Sequence, residues 1–184
     1  MTTCAISSTH RLVWTAAMAA LTAVGAFISI PLFGVPFSMQ TLFVILAGFV
    51  LGPGHGAAAM LLYIAAGAAG LPVFAGGAAG IGVLLGPTGG YLPGFVCCAA
   101  LAGLATSGAV EQGRTPWLRC LLLGMAGLAA LYALGVTRLA YVIDADWFHA
   151  FAVGALPFLP VSLVKLILAT AAFHSLRKQG LLPR

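Results

Sequence analysis

The sequence predicts an all-α integral membrane protein, a bundle of about six transmembrane helices with a glycine-rich outer loop between the third and fourth. Three observations predict it. Of 184 residues 62% are hydrophobic and 6% are charged, against roughly 25% charged in a soluble domain. Apolar runs recur along the whole chain, separated by short breaks of glycine and proline. The lysines and arginines sort onto alternate connections, as they do when a chain crosses a bilayer repeatedly.

The first apolar run, from Leu12 to about Phe33, follows His10 and Arg11. It is longer than the roughly 7 to 15 residues of a signal-peptide core and reads as the first helix. "PLFGVPF" at 31–37 then has proline and glycine spaced as in a tight re-entrant or surface loop. The next runs, 38–52 and 55–69, are short for spans of about 20 residues, so they are tilted or closely joined at "LGPGHG", residues 51–56. Three more follow at 90–108, 118–140 and 151–176. The length leaves no room for a second unit, and residues 1–184 are expected to form a single transmembrane domain.

With the amino terminus cytoplasmic, the inner side carries Arg11, Arg114, Arg119, Arg177, Lys178 and Arg184. Asp144 and Asp146 fall outside, and Arg138 is the one basic residue that does not fit. Both termini are then cytoplasmic in a multi-pass protein of the cell membrane. Trp14, Trp117 and Trp147 fall near predicted helix ends, where indole prefers the interface. The net charge of +5 follows from this topology. It forms no phosphate-tracking patch and implies no nucleic-acid partner.

Catalytic and metal chemistry find no foothold. Cys4, Cys97, Cys98 and Cys120 lack CxxC or zinc spacing and read as structural, and His10, His55, His149 and His174 are scattered. Gly80, Gly82 and Gly86 give GxGxxxG, which is not a dinucleotide fingerprint, and neither a P-loop nor GxSxG occurs. The chain reads as neither an enzyme nor a cofactor binder.

Two features point to a ligand. "GLPVFAGGAAGIGVLLGPTGGY", residues 70–91, can form neither a good helix nor a polar loop. Non-helical backbone at membrane depth must be buried in protein or line a cavity, and glycine lets that backbone approach a ligand closely. Close helix packing is the alternative, since Gly82, Gly86, Gly90 and Gly94 recur every four positions, although Pro72, Pro87 and Pro93 interrupt the pattern. The second feature is Lys165, near the middle of the last run and too far from either end to snorkel. An ionised lysine there costs about 2.5 to 3.5 kcal/mol on insertion scales and needs an anionic or strongly hydrogen-bonding partner. The carboxylates Glu111, Asp144 and Asp146 lie in loops, which makes an anionic substrate the economical partner. Pro157 and Pro160, just before Lys165, can break the helix and free carbonyls toward the same cavity.

"VPFSMQTLFVILAG" at 35–48, "GLPVFAGGAAGIGVLLGPTGGYLPGF" at 70–95 and the late proline-containing helix with its lysine resemble the BioY family, the biotin-specific substrate-binding (S) components of energy-coupling factor transporters. The resemblance covers most of the chain in order. It implies a six-helix bundle that captures biotin from outside and works with a transmembrane coupling subunit and two cytoplasmic ATPases. It makes Lys165 the polar anchor of biotin, through either the valerate carboxylate or the ureido carbonyl. The family pattern PGDxxK reads here as Pro160, Val161, Ser162 and Lys165, so Ser162 stands where the family has an aspartate. A serine accepts as a neutral hydroxyl and does not neutralise the lysine. Gln40, Tyr91, Gly76 and Gly77 lie in the matching motifs as further pocket residues, and Phe74 either stacks on the bicyclic ring or fills the bundle. Ala16-xxx-Ala20 resembles the small-residue surface that meets the coupling subunit, with packing inside the bundle as the alternative. Two other functions fit the residues alone: a self-contained facilitator needing no ATPase, and a membrane scaffold whose lysine binds lipid head groups.

Overall fold

A computed structural model describes residues 2–32, 35–107 and 117–182. Glu111, Arg114, Arg184 and the side chain of Cys4 lie outside the described residues. The helix α1 (Thr2–Phe27) begins before the apolar run and ends short of Phe33. Trp14 therefore sits inside the helix and not at its end, and its Nε1 donates to His10 Nε2 at 3.1 Å. The helix stops because Pro31 has no N–H to continue the ladder and disfavours helical geometry in the residue before it. Where a loop was expected, the chain makes an antiparallel hairpin, β1 (Ser29–Leu32) and β2 (Val35–Ser38), which pairs Ser29 with Ser38 and Pro31 with Pro36. A two-stranded ribbon has open edges on both sides, where proline is tolerated.

The helical segment α2 (Gln40–Ala68) is not one rod. Gly52 has φ 75°, Pro53 follows it, and Gln40 Nε2 lies 2.6 Å from Tyr63 Oη. In a straight helix those residues stand about 34 Å apart at 1.5 Å rise per residue. The segment is a hairpin of two antiparallel arms, 40–51 and 53–68, as the two short runs joined at 51–56 anticipated. Gly48 and Gly56 let the arms touch: a Cβ on Gly56 would stand 3.0 Å from Gly48 Cα.

Residues 70–91 hold a 3-10 turn (Ala75–Gly77) and the short helix α3 (Ile81–Leu85) before α4 (Tyr91–Gly103) begins. Then come α5 (Trp117–Ile143), α6 (Trp147–Gly154) and α7 (Leu159–Lys178). The predicted last helix at 151–176 is thus broken between Gly154 and Leu159, and Lys165 stands six residues after the start of α7, not near the middle of one long helix. Pro157 removes a donor at the break, while Pro160 sits in the first turn of α7, where a missing N–H does no harm. Asp146 starts α6 by accepting from the Phe148 N–H at 3.2 Å.

Helix packing relies on small residues, as expected where lipid supplies no hydrophobic drive between helices. Gly94 abuts Leu131 and Gly127 abuts Cys98, which docks α4 on α5, and Gly103 abuts the Gly52–Pro53 turn. Phe49 and Phe173 meet at 5.8 Å between centroids and join α2 to α7. Cys98 and Cys120 are buried while Cys97 is exposed. On α1, Met18, Thr22 and Ala26 are buried, whereas Ala16 and Ala20 are exposed in line with Leu12 and Val24. The two alanines therefore take no part in packing inside the bundle. Among the described residues, α2, α5 and α7 are long and apolar enough by length and composition to cross a membrane, although α2 divides that length between its two arms. The chain is a multi-pass membrane protein.

Arg138, the misfit in the charge pattern, is held by the glycine-rich segment. Its guanidinium donates to the Leu85 carbonyl at the end of α3, lies over the Tyr141 ring, and its stem rests against Gly90. The charge thus meets a helix C-terminal carbonyl, the favourable end for a cation.

Candidate substrate-binding site

The hairpin β1–β2, the 70–91 segment and the α6–α7 break lie at one end of the bundle and wall a cavity of about 410 Å³. That volume falls within the roughly 300 to 1,000 Å³ of small-molecule sites. Much of the wall is apolar, including Phe37, Phe74, Leu92, Phe95 and Phe158, and among the described residues no carboxylate lines it.

The two ideas about the glycine-rich segment divide along its length. Gly82 and Gly86 line the cavity, whereas Gly90 and Gly94 press against α5. Of the residues nominated from sequence, Lys165, Ser162, Gln40, Phe74 and Tyr91 all line the cavity. Gly76 and Gly77 do not. Their φ values of 71° and 77° allow the tight turn after Phe74, and a Cβ on Gly77 would stand 3.9 Å from the Phe27 ring, on the α1 side. They shape the turn that presents Phe74 and Ala75 to the cavity.

Lys165 is 3% exposed. Its Nζ donates to the Ser38 carbonyl at 2.6 Å and stands 4.3 Å from the Phe37 ring centroid. A carbonyl at the end of β2 and an aromatic face thus meet the ammonium, and Phe37 is itself stacked on Phe158 at 6.1 Å. A directional chain of hydrogen bonds continues from there. Ser38 Oγ donates to Gln40 Oε1 at 2.7 Å, Gln40 Nε2 to Tyr63 Oη at 2.6 Å, and Tyr63 Oη to the Val73 carbonyl at 3.0 Å. The lysine on α7 is thereby linked through β2 and both arms of α2 to the start of the 70–91 segment. Tyr63→Phe removes the middle of this chain and leaves a buried Gln40 N–H and the Val73 carbonyl unpaired. The expected loss is about 2 kcal/mol of stability, seen as a lower thermal midpoint in detergent; an unchanged midpoint would show that the chain carries no stability.

Phe74 both lines the cavity and fills the bundle. It is 2% exposed, meets Tyr63 edge-on at 5.5 Å, and occupies the space a side chain at Gly67 would need. Tyr91 Oη donates to the Gly154 carbonyl at 2.8 Å, so the α6–α7 break does free a carbonyl at the cavity and the tyrosine takes it. Ser162 Oγ and Tyr132 Oη are 2.7 Å apart. Tyr63, Tyr132, Phe37 and Ser38 were missed from sequence. The first two carried a usable signal, a phenol placed well inside an apolar run, and the other two lay within the quoted 35–48 motif.

A multi-pass helical bundle whose cavity is walled by aromatic and aliphatic side chains around a buried ammonium is a membrane protein built to hold a small molecule. The chain belongs to the BioY family, which it matches over residues 1–181. It is 43% identical over 159 residues to the biotin transporter BioY of Thermotoga maritima, covering 86% of this chain and 90% of that protein. To the probable biotin transporter BioY of Pyrococcus horikoshii it is 42% identical over 161 residues, covering 88% and 91%. Its fold is similar to a crystal structure of the S-component for biotin from an ECF-type ABC transporter, with a TM-score of 0.85, 27% identity, and coverage of 96% of this chain and 97% of that one.

Proposed function

We propose that the chain captures biotin as the S component of an ECF-type transporter and takes part in its uptake across the cell membrane. The observation that carries this reading is the cavity itself, whose buried lysine contacts only neutral groups and whose remaining wall suits an apolar bicyclic ring. Biotin combines a fused thiophane and urea with a carboxylate tail, so it offers both an apolar body and strong acceptors for Lys165. Ser162, Gln40, Phe74 and Tyr91 complete the site, with Gly76 and Gly77 shaping the turn beside it. Membership of the family and the likeness to a biotin S-component support the same ligand.

Residues 1–184 act as a single substrate-binding domain, with both termini on the cytoplasmic side of the inner membrane. Arg119, Arg177 and Lys178 at the end away from the cavity support that orientation. The chain is not an enzyme and has no ATP-binding motif, so energy comes from ATPase subunits through a transmembrane coupling subunit. The exposed Ala16 and Ala20 on α1 suit close approach by a helix of that subunit.

Uptake of labelled biotin by cells expressing the chain with and without coupling and ATPase subunits tests this. Uptake that requires those subunits is expected. Full uptake without them would identify a self-contained facilitator, and neither binding nor uptake would leave a scaffold.

A further inference from the structure

Tyr132 on α5 and Ser162 on α7 face each other with hydroxyl oxygens 2.7 Å apart, and both line the cavity. Tyr132 is 8% exposed and Ser162 is 2% exposed. A lone serine hydroxyl has two faces toward a ligand, donor and acceptor. Pairing changes that. If Ser162 gives its single proton to the Tyr132 oxygen, the serine presents only lone pairs to the cavity. Lys165 lies one turn further along the same face of α7 and can only donate. The Ser38 carbonyl on its other side can only accept. Either hydroxyl can be the donor of the Tyr132–Ser162 bond; with the proton running from Ser162 to Tyr132, the wall around the ammonium reads acceptor, donor, acceptor, with one positive charge and no carboxylate among the described residues.

We propose that Tyr132 is a specificity-determining positioning residue: it holds the Ser162 hydroxyl as a neutral acceptor for a ring N–H, so that the site takes an uncharged cyclic urea and rejects a positively charged ring. This rests on the biotin reading of the cavity. Each N–H of the urea finds an acceptor and its carbonyl finds the ammonium, without any proton leaving either partner. A ring guanidinium in the same place sets two positive charges about 5 Å apart. At an effective dielectric of 20 that is a penalty of about 250-fold in affinity.

The test is a titration of the purified full-length chain with biotin and, at neutral pH, with 2-iminobiotin, whose ring guanidine is then protonated. Tyr132→Phe and Ser162→Ala are each expected to weaken biotin binding about tenfold. The double variant should be no weaker than either single one, because Tyr132 acts through Ser162. A double variant weaker by about a hundredfold would overturn the proposal, since the two residues would then act separately. Ser162→Asp supplies an independent readout if Tyr132→Phe fails to fold. It restores a carboxylate beside Lys165 and should raise affinity for 2-iminobiotin relative to biotin at least tenfold, whereas an unchanged ratio would overturn the proposal. Wild-type protein that binds no biotin overturns the biotin reading itself. Biotin binding with independent losses overturns only the role given to Tyr132.

Discussion

Replacing Lys165 with methionine is expected to lower biotin affinity about 100-fold while leaving the bundle folded. Truncating one member of a buried, charged hydrogen-bonded pair costs about 2 to 5 kcal/mol of binding, and about 3 kcal/mol corresponds to that factor. The fold should tolerate the change because no charge is stranded by it. The partners of the ammonium are the Ser38 carbonyl and the Phe37 ring, both neutral. Losing the donor leaves one carbonyl less well satisfied, at about 1 to 3 kcal/mol. Lys165 lies six residues into α7, so removing its charge returns part of the roughly 2.5 to 3.5 kcal/mol that an ionised lysine costs at a helix centre. Methionine is unbranched and apolar, and it fills the channel the lysine stem occupied. A biotin titration beside a thermal melt separates the two effects. Unchanged affinity would remove Lys165 from the site, and a collapse of the melt would make it structural.

The largest effect on stability is expected from Gly48→Val. A Cβ at this position would strike the Ala99 carbonyl oxygen and stand 2.9 Å from Ala102 Cβ and 3.0 Å from the Gly103 nitrogen. Two of those three neighbours are backbone, which cannot rotate away, so α2 and α4 would have to separate. Overpacking commonly costs about 1 to 3 kcal/mol. A β-branched side chain set against backbone belongs at the top of that range or above it. Gly54→Ala is the matched control, because no atom lies within 4 Å of a Cβ there. The valine variant should melt well below wild type in detergent, whereas the alanine variant should melt with the wild type. Equal midpoints for all three would mean that the α2–α4 contact is looser than described.

Much of this architecture was legible because its determinants are local. Apolar runs marked the rods, and "LGPGHG" marked the reversal, since only glycine readily adopts the positive φ that Gly52 needs. Lys165 stood out because a charge amid apolar neighbours demands a partner. The hairpin at 29–38 was hidden because "FISIPLF" is as apolar as the helix before it, and four residues of alternation cannot outweigh that. The start of α1 was hidden for the opposite reason, since its first turns are polar and follow no hydropathy signal. Pro157 and Pro160 marked a candidate break, yet the apolar run 151–176 still read as one helix because its hydropathy continues across the break. Pairings across the chain were out of reach. Lys165 meets Ser38 over 127 residues and Tyr132 meets Ser162 over 30. No spacing rule connects such positions. Gly76 and Gly77 sit between Ala75 and Ala78 of the cavity wall without lining it, and a Cβ at Gly77 would face Phe27 on α1, a distinction that only backbone geometry makes.

Determining the structure of the chain with biotin bound tests the assignment at its centre. The bicyclic ring should lie in the cavity among Phe74, Tyr91 and Phe158, with a biotin oxygen about 2.7 to 3.2 Å from Lys165 Nζ. Biotin held anywhere else, or held in the cavity with Lys165 still bonded only to the Ser38 carbonyl, would contradict it.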